Sequence, residues 1–210
     1  MIRLQNALYL IVLLIFGASC GLGGSSQDGQ FSLIGNEHLL EGGRTSVLLP
    51  ANLKASSRYR IGEDIPHLQE DSLLLLMTQN TLHALEFEDE SIDLFVSTEG
   101  PFHQLIIMDM QMTPLNKTNG SILASSLREQ YQSIADRRPE FEVEKISSQL
   151  QQMKQRAYLK IKYLIRDQES GRALYNTHYV LTTTRQTYMI YELTTQEYDI
   201  EPYLWTWKEF

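Results

Sequence analysis

The chain has 210 residues, with 26 acidic against 18 basic side chains and a formal net charge of −8. That balance argues against a nucleic-acid partner and against broad adhesion to anionic headgroups, which both require clustered Lys and Arg. The chain has one cysteine, so no internal disulfide is available. The fold must rest on its core, which a chain of this length is large enough to bury.

The N-terminus is patterned like a secretory signal. Arg3 is the only charge before an uninterrupted apolar run of twelve residues, Ala7 to Ala18, counting Tyr9 and Gly17. A membrane-spanning helix needs about 20 such residues, so the run fits a cleaved signal instead. It ends in Phe16-Gly17-Ala18-Ser19-Cys20, which resembles the lipobox of bacterial lipoprotein precursors. Gly17 stands where the lipobox usually carries Leu. The resemblance implies removal of residues 1–19 and a diacylglycerol on Cys20, which would anchor the protein to a membrane. The mature chain would carry 17 basic and 26 acidic side chains, a net charge of −9. Gly21 is not the Asp that retains such proteins at the inner membrane. The implied address is therefore the outer membrane of a bacterial envelope, facing the periplasm.

Residues 20–30 are the lipidated cysteine and a Gly/Ser-rich tether, with a reach of roughly 15–20 Å for a flexible chain of this length. Gly21-x-Gly23-Gly24 follows no strand and is not a phosphate loop. Residues 31–210 are expected to form a single domain. Thr45–Leu49 reads as a strand stopped by Pro50. Residues 52–70 read as a long polar loop. Leu73–Met77 is a short apolar run that periodicity alone leaves open between strand and helix. Leu85–Glu88 alternates as a strand does, Ile92–Val96 continues in extended character, and Gly100-Pro101 marks a turn. Leu105–Met110 is apolar enough for a central strand.

One amphipathic helix follows, capped by Asn119 or Ser121. Ile122/Leu123, Leu127, Tyr131 and Ile134/Ala135 form its inner face, and Pro139 closes it. Residues 141–193 read as consecutive antiparallel strands. In 157–165 the alternation sets Tyr158, Lys160, Lys162 and Leu164 on the face opposite Ala157, Leu159, Ile161, Tyr163 and Ile165, with the lysines expected in solvent. Asp167–Gly171 and Thr184–Gln186 are the turns. A short final helix is expected from Glu201, with Pro202 in its first turn, through Trp205 and Trp207.

This order resembles the PsbP/Mog1/DcrB group: a leading strand ending in Leu-Leu-Pro, an apolar middle strand, one amphipathic helix, a meander and an aromatic C-terminal helix. The resemblance spans 31–210. It departs at Met153–Ala157, where members often have small residues or Gly. It implies an α+β fold, an α/β/α sandwich around a mainly antiparallel sheet. It also implies a non-enzymatic accessory or binding role, and some bacterial members of the group are lipoproteins.

No catalytic signature competes with that reading. His38, His67, His83, His103 and His178 have no metal-ligand spacing, and no cofactor or metal is expected. The five carboxylates of Glu86–Asp93 lack calcium-loop order and read as a solvated strand face and turn. There is no Gly-x-Ser-x-Gly or Ser-x-x-Lys, and a lipidated Cys20 leaves no thiol. Asn116-Lys117-Thr118 is an incidental glycosylation sequon. Aromatic residues crowd the C-terminus. Tyr203, Trp205 and Trp207 are candidate protein-binding residues, against the alternative that they close the core. The expectation is thus a lipid-anchored accessory factor with an envelope protein partner. The alternatives are a small-ligand carrier with a cleft beside the 52–70 loop and, third, an unrecognised hydrolase.

Overall fold

The computed structural model describes residues 33–40, 43–57, 72–85, 92–97, 99, 101–153 and 156–210. Cys20, the signal, the tether, the carboxylates of 86–91 and most of the 52–70 segment lie outside the described residues.

The elements are, in order, β1 (Gly35–Leu39), β2 (Thr45–Pro50), β3 (Leu53–Ser56), α1 (Ser72–Leu85), β4 (Ile92–Ser97), β5 (His103–Met110), α2 (Lys117–Arg137), β6 (Phe141–Met153), β7 (Arg156–Asp167), β8 (Ala173–Thr182), β9 (Thr187–Thr194), α3 (Glu201–Leu204) and β10 (Lys208–Glu209). Seven strands form one antiparallel sheet in the order β3-β4-β5-β9-β8-β7-β6. A second antiparallel sheet has the order β1-β2-β10. The fold is α+β, with helices α1 and α2 on one face of the large sheet and the small sheet with α3 on the other.

Period-two alternation splits the strands cleanly between two cores. Leu94, Val96, Ile106, Met108, Leu159, Ile161, Tyr163 and Ile165 pack on the helix side. Phe95, Leu105, Ile107, Tyr158, Tyr179, Leu181, Tyr188 and Ile190 pack on the other. β5 is buried throughout most of its length, as expected for a strand with neighbours and layers on all sides.

Several local expectations are corrected. Leu53–Ser56 is not loop but a strand paired with β4, and Leu53 is fully buried. Leu73–Met77 is helical. Leu73, Leu74, Met77 and Thr78 are buried together, a spacing that only a 3.6-residue period places on one face. Leu85 ends that helix and does not begin a strand. Helix α2 starts earlier than expected. Asn116 is its cap, its side-chain oxygen accepting the Asn119 N–H at 3.0 Å. Ile122 is 63% exposed, and Leu123 and Leu127 make the contact with the sheet. The last helix stops at Leu204, so Trp207 lies beyond it.

Two glycines are required by position. A Cβ at Gly35 would lie 2.2 Å from the Leu49 carbonyl oxygen, which would force β1 off β2. Gly171 has φ +69° at the end of the β7–β8 turn. There the Asp167 carboxylate accepts from the Glu169 and Ser170 N–H groups and the Ser170 hydroxyl. The Ser170 hydroxyl chiefly holds the Asp167 carboxyl below its usual range.

Candidate functional site

The charged chemistry of the described residues gathers on the face of β7 away from the helices. Arg156, Tyr158, Lys160 and Lys162 stand two residues apart and so share that face. Opposite them runs a strap, residues 195–207, made of irregular chain, α3 and the aromatic end. Arg156 donates to the carbonyls of Leu204 at 3.5 Å, Trp205 at 3.3 Å and Trp207 at 2.5 Å. These are carbonyls that a one-turn helix cannot satisfy internally. The Tyr158 hydroxyl donates to Glu201. Lys160 donates to Asp199 and, at 3.4 Å, to Glu201. Lys162 donates to Glu197 at 3.2 Å and to the Tyr198 carbonyl at 3.3 Å.

The lysines expected in solvent are therefore buried, at 7% and 5% exposure. The reason is that β7 is an inner strand, between β6 and β8, and the strap lies over it. Each lysine also faces an aromatic ring, Lys160 at 5.7 Å from the Tyr179 centroid and Lys162 at 5.8 Å from that of Tyr175. Deeper in, the Tyr179 hydroxyl shares its single proton between Asp199 at 2.9 Å and Glu192 at 3.2 Å. Glu192 also lies 3.0 Å from His103 Nε2, with both side chains buried. Burial raises the Tyr179 and Tyr158 hydroxyls well above their ordinary value, and the neighbouring carboxylates add to it. Burial works against the Asp199 carboxylate, but Lys160, the Glu201 N–H and Tyr179 together hold its pKa below the usual range.

On the opposite face His178 is buried too, beside a polar neighbour. Its Nε2 shares a 2.6 Å hydrogen bond with the Tyr131 hydroxyl of α2. Tyr163 stacks on Tyr131 at 3.9 Å between centroids, and Tyr191 meets the imidazole edge-on. Burial pushes the His178 pKa down to about 3.

A cleft of about 510 Å³ opens at one end of the sheet, between the start of β2, the end of β5, the β8–β9 turn and β10. Arg44, Arg185, Asp109, Tyr188, Glu209 and Phe210 are among its walls. Glu209 is held by the hydroxyls of Thr183 and Thr184, and Arg185 donates to the Phe210 carbonyl. Arg44 has no side-chain hydrogen bond or ion pair among the described residues.

Of the aromatic candidates, Trp207 is in the core at 2% exposure, edge-on to Tyr188. Trp205 is half-buried against Tyr158, and the half-buried Tyr203 donates its hydroxyl to the Ile34 carbonyl at 3.0 Å. The sequence reading missed the strap network, although it left a signal. Lys160 and Lys162 alternate at period two, as do Glu197, Asp199 and Glu201. Among the described residues no three His, Cys, Asp or Glu side chains converge as a metal site, and no helix is long and apolar enough to cross a membrane.

No family model and no curated protein matches the chain. Among solved structures, cyanobacterial PsbP (CyanoP) from Synechocystis sp. PCC 6803 is similar, with a TM-score of 0.50 and 10% identity over 88% of this chain and 98% of that one. The Ran-binding protein Mog1p of Saccharomyces cerevisiae gives a TM-score of 0.43 and 8% identity over 79% of each chain. The likeness to CyanoP shows a PsbP/Mog1-like fold and, at this identity, the fold alone.

Proposed function

We propose that this protein is a lipoprotein of the bacterial envelope, anchored through Cys20, whose PsbP/Mog1-like domain is a non-enzymatic accessory or binding factor for an envelope complex. The observation that carries the reading is the apolar run ending in Gly17-Ala18-Ser19-Cys20, followed at once by a Gly/Ser-rich tether. The titratable groups of the strap support it as well. Each is engaged with a neighbour in holding chain to chain, and none is left poised as acid, base or nucleophile. Gly21 favours the outer membrane, facing the periplasm.

The test is metabolic labelling with a radioactive fatty acid, combined with membrane fractionation, on the native chain and Cys20→Ala. The native chain is expected to take up label and sediment with membranes, and the variant to lose both. A native chain without label overturns the anchor. Crosslinking in solubilised envelope tests the accessory role, which a protein that captures no envelope component does not have.

The cleft favours a second reading, a carrier of small anionic ligands. Its volume suits a small molecule, and Arg44, uncommitted among the described residues, presents a guanidinium that a carboxylate would engage in bidentate fashion. Calorimetric titration with small organic acids decides it. A carrier binds them, and Arg44→Gln weakens binding about tenfold, the loss of one charge-assisted pair.

A further inference from the structure

The seven-stranded sheet ends very differently on its two sides. β3 is a four-residue strand, too short to template much pairing, whereas β6 is a thirteen-residue edge. Among the described residues β6 is paired only with β7, so the N–H and C=O groups along its outer edge have no strand partner. Exposed edges of this length are normally guarded by charge, bulges or proline. The first half of β6 is guarded in that way. It carries Glu142, Glu144 and Lys145, and a bulge falls between Lys145 and Ser147. The second half, Ser147-Ser148-Gln149-Leu150-Gln151-Gln152, has neither charge nor proline. Its Ser147, Ser148, Gln149 and Gln152 side chains are exposed.

We propose that this edge joins a second copy of the chain, the two β6 strands pairing antiparallel about a two-fold axis through Gln149. The register follows from the pleat. Leu150 packs on the helix side, beside Gly120 of α2, which fixes Ser148 and Leu150 on one face and Ser147, Gln149 and Gln151 on the other. Antiparallel neighbours must share faces, so a two-fold axis has to pass through a residue and not between two. Centred on Gln149, Ser148 faces Leu150 and Ser147 faces Gln151. The bulge then brings Lys145 opposite Gln152, so no like charges meet. Gln149 faces its own copy, and its amide is both donor and acceptor, so an identical side chain satisfies it. This self-matching favours a second copy over a charged partner, which would find no counter-charge here. The contact is isologous and closed, and the bulge with Glu142 and Glu144 stops it from extending. The proposal does not depend on the lipid anchor.

The test combines sedimentation equilibrium on the purified full chain with disulfide trapping in a Cys20→Ala background. A reversible dimer in the micromolar range is expected. Gln149→Cys should crosslink to itself under mild oxidation, whereas Glu142→Cys should not. Ser148→Lys, at an exposed position, should weaken association about tenfold or more by setting extra positive charge at the axis. A chain that is monomeric throughout, including one that takes up strands of other envelope proteins at this edge, overturns the proposal. So does a dimer in which Glu142→Cys crosslinks and Gln149→Cys does not. The trapping result decides the matter even if Ser148→Lys fails to fold.

Discussion

The two faces of the large sheet are built from the same strands and covered in opposite ways. Strand β7 shows the contrast within a few residues. Toward the helices it presents Leu159, Ile161, Tyr163 and Ile165, and toward the strap Arg156, Tyr158, Lys160 and Lys162. A helix satisfies most of its own backbone groups, so its cover can be apolar and dry. The strap is mostly irregular chain with a one-turn helix, and its carbonyls and carboxylates need donors from below. The lysine and arginine row supplies them. Where the cover cannot satisfy its own backbone, the sheet beneath it turns polar.

Truncating the apolar anchor of the strap side should break the comparison hardest. Trp207→Ala is expected to destabilise by about 3–5 kcal/mol, the range for loss of a buried large aromatic, as measured by urea denaturation. A cost near zero would mean that the strap adds little to the fold.

The helix side should lose stability in mild acid through His178. His178 has a pKa of about 3 in the fold against an ordinary 6.5. Between those values the unfolded chain binds more protons, so stability falls as pH falls. The loss should reach roughly 2 kcal/mol by pH 5. His178→Gln should flatten the denaturation profile between pH 7 and pH 5. Asp199 on the strap side has a lowered pKa, from an ordinary 3.8. Its stabilising share is present above 3.8 and is lost only as pH falls further, so His178 and Asp199 should separate in a pH series.

Lys160→Met tests the ionic hold on the strap. Asp199 is 41% exposed and can rehydrate, so the expected cost is about 1–2 kcal/mol, below that of breaking a fully buried pair. Limited proteolysis should show faster cleavage within 195–199, and unchanged cleavage would mean that Lys160 does not hold the strap. The smallest effect is expected at Arg166→Ala. Its pairs with Glu142 and Glu144 are exposed, so thermal denaturation should change by about 0.5 kcal/mol or less.

Much of this architecture was legible in the residues themselves. Alternation in 157–165, the run of Tyr, Thr and Val in Leu174–Thr183 and the turn chemistry of Asp167–Gly171 specify the meander. Leu105–Met110 announces an inner strand by its unbroken apolar run. The short runs were harder to read. Leu53–Ser56 and Leu73–Met77 are each too brief for periodicity to decide. The first becomes a strand by pairing with β4, and the second a helix by packing Leu73 and Met77 on the sheet.

By itself, then, the sequence determined the antiparallel meander and the two-faced strands, because side-chain period is a local property of backbone geometry, while the α+β class was what the family resemblance implied. The sequence also set Lys160 and Lys162 together on the face opposite Leu159 and Ile161, but expected that face in solvent, where the structure buries both. Only the tertiary structure decided that this face is buried, that Glu197, Asp199 and Glu201 return to meet it, that Trp207 closes the core, and that β6 stands at the edge of the sheet among the described residues. Those outcomes depend on strand order and on which distant segment lies across the sheet, and no local pattern carries that information.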